Sequence, residues 1–167
     1  KSEAISAIPV RSAFVVRINN LHQLAQDLSA SVPGDALKNS VVFADLDEFV
    51  NLLDDHRSDK NTNIKAFGAY DQYGADSFGW IWCAESDQLP FISKSNLEKK
   101  GTLKTRTYGS GEIVHFISEK LSFYFALQNG LLLLSKEENL VEASLKQLES
   151  GIDLQGDASF MTTLKTT

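Results

Sequence analysis

The sequence lacks the features that define several large classes of protein. Cys83 is the only cysteine among 167 residues, so the chain cannot form an internal disulfide. No apolar run approaches the roughly 20 residues that a membrane-spanning helix needs, and we predict no span in this segment. The net charge of −6 disfavours a nucleic-acid surface, which requires a basic face to displace counterions from phosphates. These absences predict a globular chain that does not bind nucleic acid.

Motifs for the common chemistries are also missing. The sequence contains no Walker loop, Cys-x-x-Cys pair, His-Glu-x-x-His helix, EF-hand loop or Gly-x-Ser-x-Gly elbow. Gly109-Ser-Gly111 lacks the third glycine of a dinucleotide-binding fingerprint, and it falls in a predicted hairpin rather than before a helix. We therefore predict no catalytic residues, no metal site and no cofactor, and we interpret the chain as a protein without enzymatic activity.

Apolar residues in the first third of the chain recur with the period of an α-helix. After a β-branched strand at 12–18, Asn19-Asn20 is expected to cap a first helix. A second, longer helix is predicted from about Phe43 to Asp55, followed by an exposed polar loop at 57–63. The two apolar stripes are Leu21, Leu24, Ala25 and Leu28 in the first helix and Leu46, Phe49, Val50 and Leu53 in the second.

The hydrophobic period changes from 3.6 to 2 near Ile64, which predicts strands from that point onward. A loop at 71–76 is expected to let Gly74 adopt a positive φ, and Asn129-Gly130 is the strongest hairpin signal. Because strands joined by tight turns pair antiparallel, we predict a largely antiparallel sheet of six or seven strands. From the change of period on, strands are expected at 64–70, 78–84, 102–108, 112–118, 121–128 and 131–134.

Helices are predicted to flank this sheet. One is expected at about 90–100, and another after Ser135-Lys-Glu-Glu138, which has the spacing of a capping box. The second should run to Ser150, with Gly151 ending it. Amphipathic helices from both ends of the chain are expected to pack on one face of the sheet, so the predicted fold class is α+β.

The length of the chain suits one domain of ordinary size. We predict a single α+β domain over residues 1–156. Asp157-Ala-Ser-Phe160 with Met161 and Leu164 has the pattern of the first turns of a helix. Residues 157–167 are therefore expected to lead into a further region beyond this segment.

Aromatic residues concentrate in the predicted sheet. Phe78, Trp80 and Trp82 share one face of a strand, while Ile81 and Cys83 share the other. A sheet face covered by helices needs large side chains for packing alone, so we interpret these aromatics primarily as core. The alternative is an aromatic platform for a small molecule or a carbohydrate, with Trp80 and Trp82 as its ligand-binding residues.

Histidine and aspartate offer further candidates for chemistry. His115 lies in the middle of a predicted strand, and we interpret it as a hydrogen-bonded core or cross-strand residue. A hydrolase or metal site would require Asp54, Asp55 or His115 to converge. Asp71 and Asp76 flank a glycine-containing loop and could hold calcium, although aspartate is also a common turn residue for its own backbone reasons.

The opening Ala4-Ile-Ser-Ala-Ile-Pro9 and the following Ala13-Phe-Val-Val-Arg-Ile-Asn19 resemble a family of exported bacterial proteins, a Bacteroidetes-type domain of unknown function. The strand and helix at 131–151 and the Asp157-Ala-Ser-Phe160 segment extend the resemblance. Members carry a signal or membrane anchor followed by α+β repeats. The resemblance implies an extracytoplasmic address in the periplasm or at the cell surface, with a signal or anchor upstream of residue 1. It transfers no functional residues.

These observations lead to one leading hypothesis and two alternatives. The leading hypothesis is a non-catalytic extracytoplasmic domain that binds a protein or cell-envelope partner, or scaffolds its own larger chain. The first alternative is a small-molecule or carbohydrate-binding domain that uses the Trp80/Trp82 face. The second is a hydrolase with an Asp/His site. Burial or exposure of the two indoles is the observation that bears most directly on this choice.

Overall fold

The computed structural model describes residues 3–20, 23–24, 26–27, 64–86, 94–152 and 154–156. These residues form a seven-stranded sheet in the order β1-β2-β3-β7-β6-β5-β4, and every neighbouring pair of strands is antiparallel. The predicted α+β fold with a largely antiparallel sheet is confirmed. The strands are β1 (Phe14–Ile18), β2 (Ala66–Gln72), β3 (Phe78–Glu85), β4 (Thr102–Tyr108), β5 (Gly111–Ile117), β6 (Ser122–Gln128) and β7 (Leu131–Ser135).

The sheet consists of two meanders, β1–β3 and β4–β7, that join where β3 pairs with β7. Local turn chemistry explains the second meander. Asn129 and Gly130 have φ angles of 54° and 80°, which is the combination that a two-residue type I′ hairpin requires. Gly109 supplies a φ of 56° at the turn between β4 and β5. The Ser118 hydroxyl accepts a hydrogen bond from the Leu121 amide at 3.0 Å and so closes the turn before β6.

Helices occupy the ends of the described segments. The longest is α2 (Glu138–Ser150), which follows the four-residue α1 (Lys94–Leu97). Gly151 ends α2 with a φ of 67°, as predicted. Two short 3-10 helices, η1 (Ala4–Ala7) and η2 (Leu154–Gly156), contact each other although they lie at opposite ends of the chain. The Asn20 side chain accepts a hydrogen bond from the Gln23 amide at 3.0 Å, which confirms the predicted helix cap.

The two faces of the sheet carry separate core clusters. We call the face under α2, η1 and η2 the helix face, because the buried side chains of these three elements pack there. We call the opposite face the aromatic face. Leu24 and Leu97 pack on the aromatic face, so helical residues lie on both sides of the sheet. The aromatic face contains Ile18, Ile64, Ala66, Trp80, Trp82, Ala84, Leu97, Val114, Phe116, Phe123, Phe125, Leu132 and Leu134.

Polar contacts fix α2 to the sheet at both ends of the helix. Arg106 of the edge strand β4 forms ion pairs with Glu138 and Glu142. The Glu149 carboxylate accepts hydrogen bonds from the amide and the hydroxyl of Ser110, each at 2.8 Å. These two hydrogen bonds lower the pKa of Glu149, with the backbone amide contributing most. The helix is therefore tied to the β4–β5 hairpin as well as to the core.

Two local predictions are wrong, and both errors arise where strands extend further than expected. Asp71 and Gln72 continue β2 through their pairing with Gly79 and Phe78, so the loop covers only 73–77, and Gly74 does not adopt a positive φ. Ser135 is the last residue of β7 rather than a helix cap. It pairs with Ile81 and Tyr124, because β7 lies between two partner strands.

The Ser135 hydroxyl donates a hydrogen bond to the Trp80 carbonyl at 2.7 Å and accepts one from the Glu137 amide at 3.0 Å. Helix α2 consequently begins at Glu138 without a side-chain cap. The predicted helix at 43–55, the loop at 57–63 and the helix start at 157–167 lie outside the described residues. Asp54 and Asp55 of the hydrolase hypothesis lie outside them as well.

Candidate functional site at the Phe78 end of the sheet

Trp80 and Trp82 lie inside the aromatic face. Their side chains are 2% and 3% exposed, and their rings stack with centroids 4.8 Å apart and an interplanar angle of 13°. Trp82 lies across its strand partner Gly68, where an added Cβ would stand 2.2 Å from the indole. The interpretation of both residues as core is confirmed. Their role as ligand-binding residues stays a prediction.

Three other aromatic rings stand at the end of this face, and we call Phe14, Tyr70 and Phe78 the aromatic ladder. Phe14 and Tyr70 stack with centroids 5.3 Å apart, and Tyr70 and Phe78 stack at 5.8 Å. Phe14 is 38% exposed and Phe78 is 45% exposed. Trp80 supports the ladder through edge contacts with Phe14 at 5.3 Å and with Tyr70 at 5.5 Å. The exposed rings thus rest on the buried core.

Strand register creates the aromatic ladder. Phe14 pairs with Tyr70 across β1 and β2, and Tyr70 pairs with Trp80 across β2 and β3. Phe78 lies two residues before Trp80 and therefore projects from the same face. Sequence spacing already groups Phe78 with the two tryptophans, but it gives no reason to single out Phe14. The pairing of β1 with β2 spans about 50 intervening residues, so no local signal reports it.

A buried carboxylate lies on the helix face at the same end of the sheet. Asp71 is 1% exposed, and its Oδ1 accepts a hydrogen bond from the Gln72 amide at 2.8 Å. Its Oδ2 accepts no hydrogen bond from the described residues, and Arg11 Nε forms an ion pair with that oxygen at 3.9 Å. Asp76, the other member of the calcium hypothesis, lies in the exposed 73–77 loop. Within the described ranges, no three His, Cys, Asp or Glu side chains cluster as metal ligands.

His115 forms a cross-strand contact. Its Nε2 lies 2.9 Å from Ser122 Oγ, and its ring stacks on its strand partner Tyr124 with centroids 4.1 Å apart. A hydrolytic Ser-His pair needs a third group that orients the imidazole. No carboxylate in the described part of the chain makes that hydrogen bond. The interpretation of His115 as a hydrogen-bonded cross-strand residue is confirmed.

Cys83 lies on the helix face beneath α2. Its side chain is fully buried, and burial raises the pKa of the thiol far above its ordinary range. The neighbouring Ser144 hydroxyl opposes this increase in pKa only in part. Since the thiolate is the reactive form of cysteine, Cys83 is a packing residue and not a nucleophile.

The comparisons with known proteins identify no relative of this chain. No protein-family model, no curated protein and no solved structure matches the chain. The resemblance to an exported bacterial family therefore stays a prediction. Among the residues that the structure describes, no helix combines the length and the apolar composition needed to cross a bilayer. The candidate site thus consists of the aromatic ladder on one face and of Asp71 with its surroundings on the other.

Proposed function

We propose that this chain is a non-catalytic binding domain that recognises a protein partner through the aromatic ladder. The observation that carries this proposal is the pair of exposed rings, Phe14 and Phe78, which stack on Tyr70 from its two sides. The buried indole of Trp80 supports Phe14 and Tyr70 through edge contacts. Rigid aromatic side chains lose little conformational entropy on binding and are enriched among the residues that dominate protein interfaces. The ladder therefore has the side chains that a protein partner would use.

Ring geometry favours a protein over a carbohydrate. A flat sugar-binding platform offers open ring faces to the ligand. In the ladder, Tyr70 is stacked between Phe14 and Phe78 with interplanar angles of 24° and 13°, so both faces of its ring are occupied. Ring edges and the outer faces of the two phenylalanines remain. Such edges fit an apolar pocket or the aromatic side chains of another protein, which prefer offset or edge-to-face contacts.

The proposed location is extracytoplasmic, as the family resemblance implies. Expression of the natural full-length protein in its source organism, followed by separation of cytoplasm, membranes and periplasm, tests this part. A protein found in the cytoplasmic fraction would contradict the extracytoplasmic address. That result would leave the aromatic ladder itself as a candidate interface.

Site-specific photo-crosslinking tests the ladder. Phe78 is replaced with the photoreactive residue benzoylphenylalanine, which keeps an aromatic ring at this position. The matched control carries the same residue at Leu127, which is 47% exposed. Leu127 lies at the opposite end of the same face, since its neighbours across β7 and β3 are Leu132 and Ala84. We expect a discrete crosslinked protein from the Phe78 position and none from the Leu127 position.

The captured protein is then purified and titrated against the unmodified chain. We expect Phe78→Ser to weaken that binding by about tenfold or more, because a central aromatic residue of an interface commonly contributes 2 kcal/mol or more. A glycan array probed with the unmodified chain and with the Phe78→Ser variant tests the carbohydrate alternative. Glycan binding that Phe78→Ser abolishes, or equal crosslinking from both positions, would overturn the proposal.

A further inference from the structure

Asp71 occupies a position where the fold has no structural need for a charge. It follows Phe67 and Ala69 on the helix face of β2, where the sheet alternation favours an apolar residue. Its partner across the strands is Gly79, and an added Cβ there would stand 3.2 Å from Leu140 of α2. The absence of a side chain at Gly79 lets the first turn of α2 approach β3 closely. Asp71 itself is buried on this face.

One oxygen of this carboxylate has an ion-pair neighbour but no hydrogen-bond donor among the described residues. Asp71 Oδ2 is buried, and none of the residues that the structure describes donates a hydrogen bond to it. A buried charged oxygen without a donor is strongly unfavourable, so such an atom calls for a specific explanation. Among the described residues, the nearest cation is the Arg11 guanidinium, whose Nε is 3.9 Å from Oδ2, within ion-pair range but beyond hydrogen-bond distance. The Arg11 side chain is 72% exposed, so it stands at the rim while the carboxylate lies at the base.

Asp71 is one of the residues that line a cavity of about 400 Å³. A ligand in this cavity reaches Oδ2 only if a neighbouring side chain moves, because that atom has almost no accessible surface. The cavity volume falls within the range of roughly 300–1,000 Å³ that is typical of small-molecule sites. Asn139, in the first turn of α2, adds a side-chain amide that can both donate and accept hydrogen bonds. Among the residues that the structure describes, the lining consists of Arg11, Asp71, Gln72, Tyr73, Gly74 and Asn139.

We infer that this cavity binds a free α-amino acid as its zwitterion. An ammonium group carries three N–H donors and would supply the hydrogen bond that Asp71 Oδ2 lacks. The planar guanidinium of Arg11 matches the geometry of a carboxylate. Because the two protein charges are only 3.9 Å apart, the complementary charges of the ligand must also be adjacent. An α-amino acid meets this requirement, since its ammonium and carboxylate groups share one carbon atom.

The experiment is an NMR titration of the isotope-labelled chain with each of the standard L-amino acids at millimolar concentration. Methylamine and acetate serve as half-ligands that carry only one of the two charges. We expect one or more amino acids to shift the amide resonances of Gln72, Tyr73, Gly74 and Asn139 saturably. The half-ligands should bind at least about tenfold more weakly, because each makes only one of the two charge-assisted contacts.

Asp71→Asn is the deciding variant, since it keeps the size of the side chain and removes its charge. We expect it to weaken binding by about tenfold to a hundredfold, the contribution of one charge-assisted hydrogen bond. Asp76→Asn on the exposed loop of the same hairpin is the matched control and should leave binding unchanged. Arg11→Gln changes only a rim side chain and should weaken binding by about two- to fivefold. It tests the site even where Asp71→Asn alters folding.

Three results would overturn the inference: no amino acid shifts these resonances, methylamine binds as tightly as the amino acid, or neither Asp71→Asn nor Arg11→Gln weakens binding. The site lies on the helix face and the aromatic ladder on the opposite face. Phe78→Ser should therefore leave amino-acid binding intact, and Asp71→Asn should leave the crosslink from position 78 intact. Failure of one proposal is thus distinguishable from failure of the other.

Discussion

Each face of the sheet carries a buried core cluster, and the two clusters are built from side chains of different size. The aromatic face is filled by large rings such as Trp80, Trp82 and Phe125, and small residues appear where a ring needs room. The helix face combines aliphatic side chains with Ala69, Cys83 and Ala126. Small strand residues let α2 approach the sheet closely, whereas rings fill the space over the other face. The core on each face is thus filled by a different combination of side chains.

At the Phe78 end of the sheet, neither face is completely covered. On the aromatic face the rings of Phe14 and Phe78 reach the surface. On the helix face the buried Asp71 lies beside a cavity that Asn139 in the first turn of α2 also lines. The two candidate sites therefore arise where packing on each face ends, and they are adjacent through the paired strands β2 and β3.

The largest predicted difference in stability lies between removing a buried ring and removing an exposed ring from the aromatic face. Phe125→Ala removes a fully buried side chain and should lower the free energy of unfolding by about 3–5 kcal/mol. Phe78→Ala removes the same atoms from an exposed position and should cost about 1 kcal/mol, mainly through its lost contact with Tyr70. Urea denaturation of both variants measures the difference. Similar losses would mean that the aromatic ladder is part of the core.

The same substitution at two glycines compares the faces directly. Gly68→Ala places a Cβ against the Trp82 indole, which cannot move without disturbing its stack on Trp80, and should cost about 1–3 kcal/mol. Gly79→Ala meets side-chain ends of Leu140, Glu137 and Tyr73 at 3.2 to 3.3 Å. These side chains can shift, and alanine also lowers the conformational entropy of the unfolded chain, which offsets part of the cost. We therefore expect the free energy of unfolding to change by no more than about 1 kcal/mol. Thermal unfolding checks both, and equal destabilisation would contradict the proposed difference in packing.

Two buried serines provide the next comparison. Ser135 bonds to the Trp80 carbonyl and the Glu137 amide, so Ser135→Ala should cost about 1–2 kcal/mol. The Ser144 hydroxyl is buried beside the Cys83 thiol, which is at best a weak hydrogen-bond partner, and no other described residue bonds to it. Ser144→Ala should therefore be neutral or stabilising by up to about 1 kcal/mol. Denaturant midpoints of the two variants measure this contrast, which a larger loss at Ser144 would refute.

The smallest predicted effect is the pH dependence of stability that the buried Cys83 thiol causes. Burial raises the pKa of Cys83, so above about pH 8.5 only the unfolded state releases this proton, and stability falls as pH rises. The contribution is at most about 1.4 kcal/mol per pH unit. The contribution of Cys83 is the difference between the free energies of unfolding of the natural chain and of Cys83→Ala, measured across the same pH range. Rapid alkylation of the folded chain at pH 8.5, detected by mass spectrometry, would show that the helix face is open.

Much of the second meander was predictable from local sequence. The predicted strands from 102 to 134 agree with the structure to within one residue at each end, because Gly109 and Asn129-Gly130 fix tight turns between alternating segments. The candidate site was less accessible to this reasoning. Asp71 resembles a turn residue in isolation, and only its place after Phe67 and Ala69 in the alternating pattern hints at burial. Phe14 belongs to a predicted strand, but its neighbours in the ladder come from distant parts of the chain.

The sequence by itself determined the change from helical to alternating period, the hairpin turns and the grouping of Phe78, Trp80 and Trp82 on one face, since all of these depend on residues close together in the chain. Tertiary structure alone decided that β3 pairs with β7, that Ser135 completes a strand instead of capping a helix, and that Asp71 is buried on the helix face. These outcomes depend on contacts between residues far apart in the chain, and such contacts leave no periodic trace in the local sequence.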